Sequence, residues 1–428
     1  MPVFAGIFHQ PSSPRIHSMN TVLSIQAVVI VAMLCGAAPA VAQGNNREVV
    51  AVSVNSHIFK PAKVDATDER IAQLRAPAGF TVTKFADGLD APRMIAVATN
   101  SDVYVSNRDQ GTITLLRDTG RTGRADVAKE VARKPNLHGL AIRDRRIYIA
   151  AVREVYVADI LADGTLGELT VLHRDLPDAG QHPNRTLHFG PDGKLYLSVG
   201  STCNACPERN PESATMMQLD TDGPGRRVVA TGLRNTIGFD WHPASKALFG
   251  FDHGMDWIGD EEQTEELNEI REGADYGWPY VLSDGKPNLS DEPPDGKTYA
   301  EVAAQSANPA LLYTAHAAPL DMTFYTSEQF PAQYRGDAFV TMHGSWNRAE
   351  PSGYKVVRVR FDEQGQPTGF EDFVTGWLVE GGRAHFGRVC GIVQHRDGSL
   401  LVTDDTNGVI YRIAYTGEGI ERKTASYD

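Results

Sequence analysis

One short pattern, recurring six times, constrains this chain more than any other feature: a polar turn leads into an apolar strand centred successively on Tyr104, Tyr148, Tyr196, Phe249, Phe339 and Leu401. The turns include Thr99-Asn100-Ser101-Asp102, Pro191-Asp192-Gly193-Lys194 and Arg396-Asp397-Gly398-Ser399, whose residue types supply the tight backbone geometry of hairpins. A further strand follows each copy, near Ile113, Val157, Leu219, Leu267, Val359 and Tyr411. Its alternating apolar positions fit a half-buried sheet. The copies stand 44, 48, 53, 90 and 62 residues apart, a propeller period stretched by insertions. A radial ring of four-stranded units leaves no long exposed edge and needs no helical layer. The expected fold is therefore all-β, a six-bladed β-propeller.

The last copy tests that reading. Gly391 to Gln394, Leu400 to Val402 and Val409 to Ala414 supply only three strands, so the fourth must come from elsewhere. Phe80 to Phe85 is a spare strand of suitable length, and the N-terminal strand is expected to close the last blade. The propeller then spans residues 77–428, preceded by an extension, 43–76, with a short helix from Asp68 to Leu74. Ahead of both, Leu23 to Ala42 is mostly apolar and ends in Ala40-Val41-Ala42, a small-x-small cleavage pattern; the alternative is a membrane anchor, but the short apolar stretch beside that pattern favours a signal peptide over 1–42. The expected location is periplasmic or secreted, with no stable membrane insertion after cleavage.

Redox compartment and charge follow. An oxidising location favours a Cys203–Cys206 disulfide and leaves Cys390 as a buried free thiol. Pro207 stands where a c-type haem site needs His, and no ligands for a structural zinc lie nearby. The formal charge of −13 argues against nucleic acid, whose binding rests on clustered Lys and Arg. No Gly-x-Ser-x-Gly elbow, Rossmann fingerprint or P-loop occurs.

Strand order also says where chemistry should lie. The lead-in to each inner strand and the loop between second and third strands share one face of a propeller. The lead-ins include Pro92-Arg93, Leu137-His138, His182 to Arg185, Arg234-Asn235, Pro319-Leu320-Asp321 and Arg388-Val389. Long loops at Ser201–Thr215, His253–Thr264 and His343–Gly353 cover the same face. His182 is the general-base candidate, because imidazole titrates near neutrality; alternatively it is a hydrogen-bonded structural histidine. Arg234, Asn235 and Arg388 would make an anionic cofactor site or serve as ion pairs between blades. The acidic run from Asp252 to Glu266 is a solvated surface or a hard-cation site in which Gly254 permits a tight turn.

Taken together, Gln181-His182-Pro183-Asn184-Arg185, Phe189-Gly190-Pro191-Asp192-Gly193, Gly232-Leu233-Arg234-Asn235, Tyr276-Gly277-Trp278-Pro279 and His343-Gly344-Ser345-Trp346-Asn347-Arg348 resemble the soluble pyrroloquinoline-quinone-dependent sugar dehydrogenases, particularly the L-sorbosone dehydrogenase-like branch. The resemblance runs from about Pro77 to Tyr415. It implies that His182 removes a hydroxyl proton while hydride passes to the quinone. It also implies that Arg234, Asn235 and Arg388 contact the cofactor and that the Gly254 and Met255 carbonyls bind Ca²⁺; the family's cofactor-contacting Lys has no clear counterpart, and Arg348, a cation beside the channel in the third long loop, is the candidate for that place. The substrate would be an aldose or related carbonyl sugar, and a soluble carrier would accept the electrons. Asn184-Arg185-Thr186 and Ser201 depart from the glucose-oxidising pattern, which leaves the sugar open. Two rival classes remain: a metal-dependent lactonase or esterase on a six-bladed propeller, with His182 activating water, and a propeller that only binds a partner.

Overall fold

The computed structural model describes residues 54–178, 180–294 and 296–417; the expected signal peptide lies outside them. Six four-stranded antiparallel sheets dominate the described chain, in a propeller-like arrangement. All six repeat strands are found, each as the second strand of its sheet: Val103–Asn107, Arg146–Ala150, Leu195–Val199, Leu248–Asp252, Ala338–Met342 and Leu400–Asp404. These strands are almost wholly buried, because neighbouring sheets cover both of their faces.

The terminal closure follows the sequence expectation. Phe80–Ala86 pairs antiparallel with Val409–Tyr415, with Phe80 opposite Tyr415 and Thr81 opposite Ala414. Phe80 meets Phe330, Tyr334, Phe373 and Tyr415 edge-on, at centroid distances of 4.7 to 5.1 Å. The added strand thus also fills the core beneath the junction.

First strands of successive sheets lie side by side around the axis: Ile95–Val97 by Leu140–Arg143, Thr236–Trp241 by Pro319–Phe324, that strand by Val389–Gln394, and the last again by Ile95–Val97. Polar side chains staple them. Asp240 accepts from the Phe324 N–H at 2.8 Å, and Asp321 from the Ile392 N–H at 2.9 Å. Burial raises both carboxyls, Asp240 to about 6 and Asp321 to about 8. The backbones approach so closely that a Cβ on Gly238 would sit 2.7 Å from Asp321.

One feature differs from expectation. The early helix covers only Asp68–Ile71, capped by Thr67, because the chain turns extended to bridge Arg75 with Thr375. In the preceding segment, Ala62–Lys63 pairs in parallel with Ala384–His385, which also pairs with Leu378–Val379 in a small additional sheet. The 90-residue gap between the fourth and fifth repeats holds a long excursion with a helix at Tyr299–Gln305, whose capping box joins Thr298 and Glu301. No helix among the described residues is long and apolar enough to cross a membrane.

Candidate active site

The long loops and the inner-strand lead-ins do share one face. Each loop reaches across to the lead-in of the next sheet. The Ser201 N–H donates to Arg234 O at 2.7 Å, His253 Nε2 contacts the Pro319 carbonyl, Arg388 Nε donates to His343 O at 3.2 Å, and Arg93 pairs with Asp405 at 2.5 Å. Within a sheet, an aspartate ending the second strand holds the lead-in. Asp252 accepts from the backbone N–H groups of Arg234 and Asn235, both at 2.8 Å, and from the Thr236 hydroxyl. Asp404 does the same for the Arg388 N–H at 2.9 Å.

His182 and Asn235 meet around Gly200, where an added Cβ would stand 2.6 Å from His182 Cβ and 2.8 Å from Asn235 Oδ1. His182 Nδ1 lies 2.9 Å from the Ser201 carbonyl and 2.8 Å from Ser201 Oγ, which itself donates to Cys203 O at 2.8 Å. A carbonyl only accepts, so Nδ1 carries the proton and Nε2 presents its lone pair. Nε2 makes no hydrogen bond among the described residues. Burial, reinforced by the Arg234 charge, lowers the imidazole pKa to about 3, so the ring is neutral at ordinary pH.

Arg234 is 2% exposed. It donates to Asn204 O at 2.9 Å, Asn204 Oδ1 at 2.7 Å and His253 O at 3.2 Å, tying two loops together behind His182. Arg185 is wholly buried rather than lining the mouth. It braces the His182 segment by donating to His182 O at 3.0 Å, Asn184 O at 3.2 Å and Pro177 O at 3.2 Å. The Arg388 side chain is half-buried and, among the described residues, donates only to the His343 and Gly344 carbonyls. Arg348 gives Nη1 to Asp260 O and Nη2 to Glu261, both at 2.7 Å, so its charge is answered within the loops.

Gly254 and Met255 have their N–H groups held by Glu265 at 2.9 Å and Gln263 at 3.2 Å. Their carbonyls accept no hydrogen bond among the described residues. Carbonyl oxygens left free in this way are a ligand type that a calcium ion prefers. The acidic run itself does not converge: Asp260 pairs with His57, Glu261 with Arg348 and Glu262 with Lys286, while Glu265 and Glu266 are buried in a strand.

The expected disulfide joins Cys203 and Cys206, and Cys390 is free and buried. Sequence reasoning missed Asp405. It contacts His343 Nε2 at 3.0 Å, and His343 and Arg93 hold its carboxyl well below the usual range against the cost of burial. Aligning the residues after each second strand would have found it, since Asp405 follows Asp404 as His253 follows Asp252. His343, Cys390 and Asp405 converge closely enough to hold a metal ion, but the Arg93 cation already occupies that cluster.

Residues 74–416 match the TrAA12-like family. A pyrroloquinoline quinone-dependent sugar dehydrogenase of Hypocrea jecorina is 27% identical over 350 residues, covering 69% of this chain and 77% of that protein. An uncharacterized protein of Borreliella burgdorferi is 28% identical over 369 residues, covering 82% and 93%. Among solved structures, the holo form of the pyranose dehydrogenase PQQ domain from Coprinopsis cinerea superposes with a TM-score of 0.68 at 24% identity, covering 80% of this chain and 97% of that one. The calcium structure of the Trichoderma reesei family AA12 enzyme gives a TM-score of 0.70 at 24% identity, covering 81% and 98%. At these identities the structural likeness concerns the fold.

Proposed function

The chain belongs to the TrAA12-like family, and from that premise we propose that it oxidises an aldose or related carbonyl sugar, sorbosone-like in character, with pyrroloquinoline quinone and calcium as cofactors. The observation that carries this reading is the fixed tautomer of His182, with Nδ1 tied to Ser201, Nε2 without a hydrogen bond among the described residues, and His182 and Asn235 both packed around Gly200.

His182 acts as the general base, taking the sugar hydroxyl proton on Nε2. Arg185 holds the carbonyls of the base-bearing segment, and burial, reinforced by the Arg234 charge, keeps the ring neutral before turnover. Asn235 and Arg388 would hold the quinone, Arg388 through the part of its guanidinium that the carbonyls leave free. Arg234 supports them from beneath, and Arg348 fixes the rim loops. The Gly254 and Met255 carbonyls would take the calcium ion. When bound, the quinone supplies the acceptor for the hydride of the sugar carbon.

We read the six sheets as the blades of one catalytic propeller, closed by the N-terminal strand and preceded by the 43–76 extension. A periplasmic or secreted location and a soluble electron carrier complete the proposal. A metal-dependent hydrolase would need carboxylates free to face the channel. Asp252 and Asp404, which stand at the mouth, are instead taken up by backbone N–H groups.

The test is an absorption titration of the purified protein with the quinone and Ca²⁺, followed by dye reduction with aldoses, sorbosone and simple alcohols. Saturable binding with sugar-dependent dye reduction is expected. Failure of dye reduction with every donor overturns the reading.

A further inference from the structure

Beside the face that carries His182 lies a cavity of about 440 Å³, lined by Lys60, Pro61, Trp346, Tyr354, His385 and Arg388. Its composition is unusual for a chain of charge −13: two cations, a histidine and two aromatic rings, with no carboxylate. Neither Lys60 nor Arg388 forms an ion pair among the described residues. Lys60 Nζ lies 5.4 Å from the centre of the Trp346 ring, and the Arg388 guanidinium 5.7 Å from that of Tyr354, contacts that orient a cation without neutralising it. His385 is 5% exposed, and its buried Nδ1 finds no hydrogen-bond partner among the described residues.

One wall of this cavity is the segment ahead of the propeller. Its path is fixed at several points. His57 pairs with Asp260 at 2.8 Å, the Phe59 N–H donates to Trp346 O at 3.1 Å, and those of Ala62 and Val64 donate to Arg383 O at 2.8 Å and His385 O at 2.9 Å. Lys63 Nζ donates to Thr406 O at 2.6 Å, and Asn407 Nδ2 to Val64 O at 2.9 Å. The segment therefore crosses loops of three sheets and places Lys60 in the lining of the same cavity as Arg388.

We propose that residues 57–64 complete an anion-binding pocket in which Lys60 and Arg388 together receive a carboxylate of a ring-shaped ligand, held between the Trp346 and Tyr354 rings. Unpaired cations on a partly desolvated aromatic wall favour such a group through charge-assisted hydrogen bonds. The carboxylate belongs either to the quinone cofactor or to an acidic sugar. Only the first source rests on the function proposed above.

The experiment titrates the full chain, prepared free of cofactor, with pyrroloquinoline quinone and separately with glucuronate, followed by quenching of tryptophan fluorescence. Unaltered protein is compared with Lys60→Glu and with the charge-conserving Lys60→Arg, and circular dichroism verifies the fold of each. Lys60→Glu should weaken binding of the responsible probe by about tenfold or more, with Lys60→Arg close to the unaltered chain. A loss confined to the quinone assigns the cofactor carboxylate, and a loss confined to glucuronate assigns an acidic sugar. Glucuronate binding that depends on Lys60, with no quinone binding at all, supports the pocket while removing the quinone reading. Quinone binding indifferent to Lys60→Glu, with glucuronate equally indifferent, overturns the pocket and leaves the quinone reading standing. Failure of the unaltered chain to bind either probe also overturns it.

Discussion

Ser201 Oγ lies 2.8 Å from His182 Nδ1 while donating its own proton to the Cys203 carbonyl. The serine can therefore only accept from the imidazole, and the Ser201 carbonyl on the same nitrogen imposes the same polarity. One residue at the start of a disulfide-closed loop thus decides which nitrogen of the proposed base is free. The Ser201 contacts set the tautomer, and in the proposed reaction the tautomer fixes which nitrogen takes the proton.

Replacing the base should separate binding from chemistry. His182→Gln is expected to retain quinone binding while lowering kcat by about 10²–10⁴, the usual contribution of a positioned general base. Ser201→Ala leaves the carbonyl on Nδ1, so its loss should be smaller, about 2–10-fold for one neutral hydrogen bond. Dye-coupled turnover at saturating sugar measures both. Equal losses in the two variants would show that Ser201 does more than orient the ring.

The pH profile follows from the same site. With the His182 pKa depressed to about 3 by burial and Arg234, the ring is already neutral well below its ordinary titration range. In the unaltered enzyme kcat/KM should show no break near pH 6.5 attributable to this histidine. A single-proton acid limb at that pH, abolished by His182→Gln, would contradict the assignment.

Gly200→Ala probes the packing that brings His182 and Asn235 together. The new methyl would stand 2.6 Å from His182 Cβ and 2.8 Å from Asn235 Oδ1, closer than such atoms tolerate, so the imidazole must move. A shift of about 1 Å at a reacting group costs on the order of 10²-fold in rate. Turnover should fall by about that factor while circular dichroism remains unchanged.

Glu266 stands opposite Asp252 across two paired strands. Burial pushes its carboxyl up to about 8, with the Asp252 charge adding to the shift. A pKa raised in the folded state means that the native protein holds a proton which the unfolded chain releases near pH 4.5. That contribution is complete below the unfolded value and is lost as pH rises through the folded one. Glu266→Gln should flatten the fall in thermal stability between about pH 5 and 9, measured by melting at both ends. An unchanged slope would place the titration elsewhere.

Phe80→Ala tests the closure of the ring. Truncating a buried phenylalanine costs about 3–5 kcal/mol, and Phe80 touches four aromatic rings that the last two sheets contribute or share. The urea midpoint should fall accordingly. A loss under about 1 kcal/mol would mean that the N-terminal strand is not integral to the core.

Much of this architecture was written locally. The six repeat strands, their partners near Ile113 through Tyr411 and the spare strand at Phe80 all appeared where alternation and turn composition placed them, because the pleat and the hairpin depend on residues a few positions apart. The position of the long loops on the His182 face was also legible, since strand order in an antiparallel unit fixes which connections share an end.

The tertiary structure decided what those residues do once gathered. That Arg185 turns inward to brace His182, that Arg348 is answered by Glu261, and that Asp405 joins His343 to Arg93 could not be read from any local pattern. These contacts join residues far apart in sequence, and their outcome depends on burial and on which neighbour satisfies each charge. The path of residues 57–64 is the clearest case. The segment has no strand periodicity of its own, and it acquires a course only from the groups that the surrounding loops present to it. Periodicity specified the sheets because their hydrogen bonds repeat. The mouth does not repeat, and only the assembled fold could say which side chains meet there.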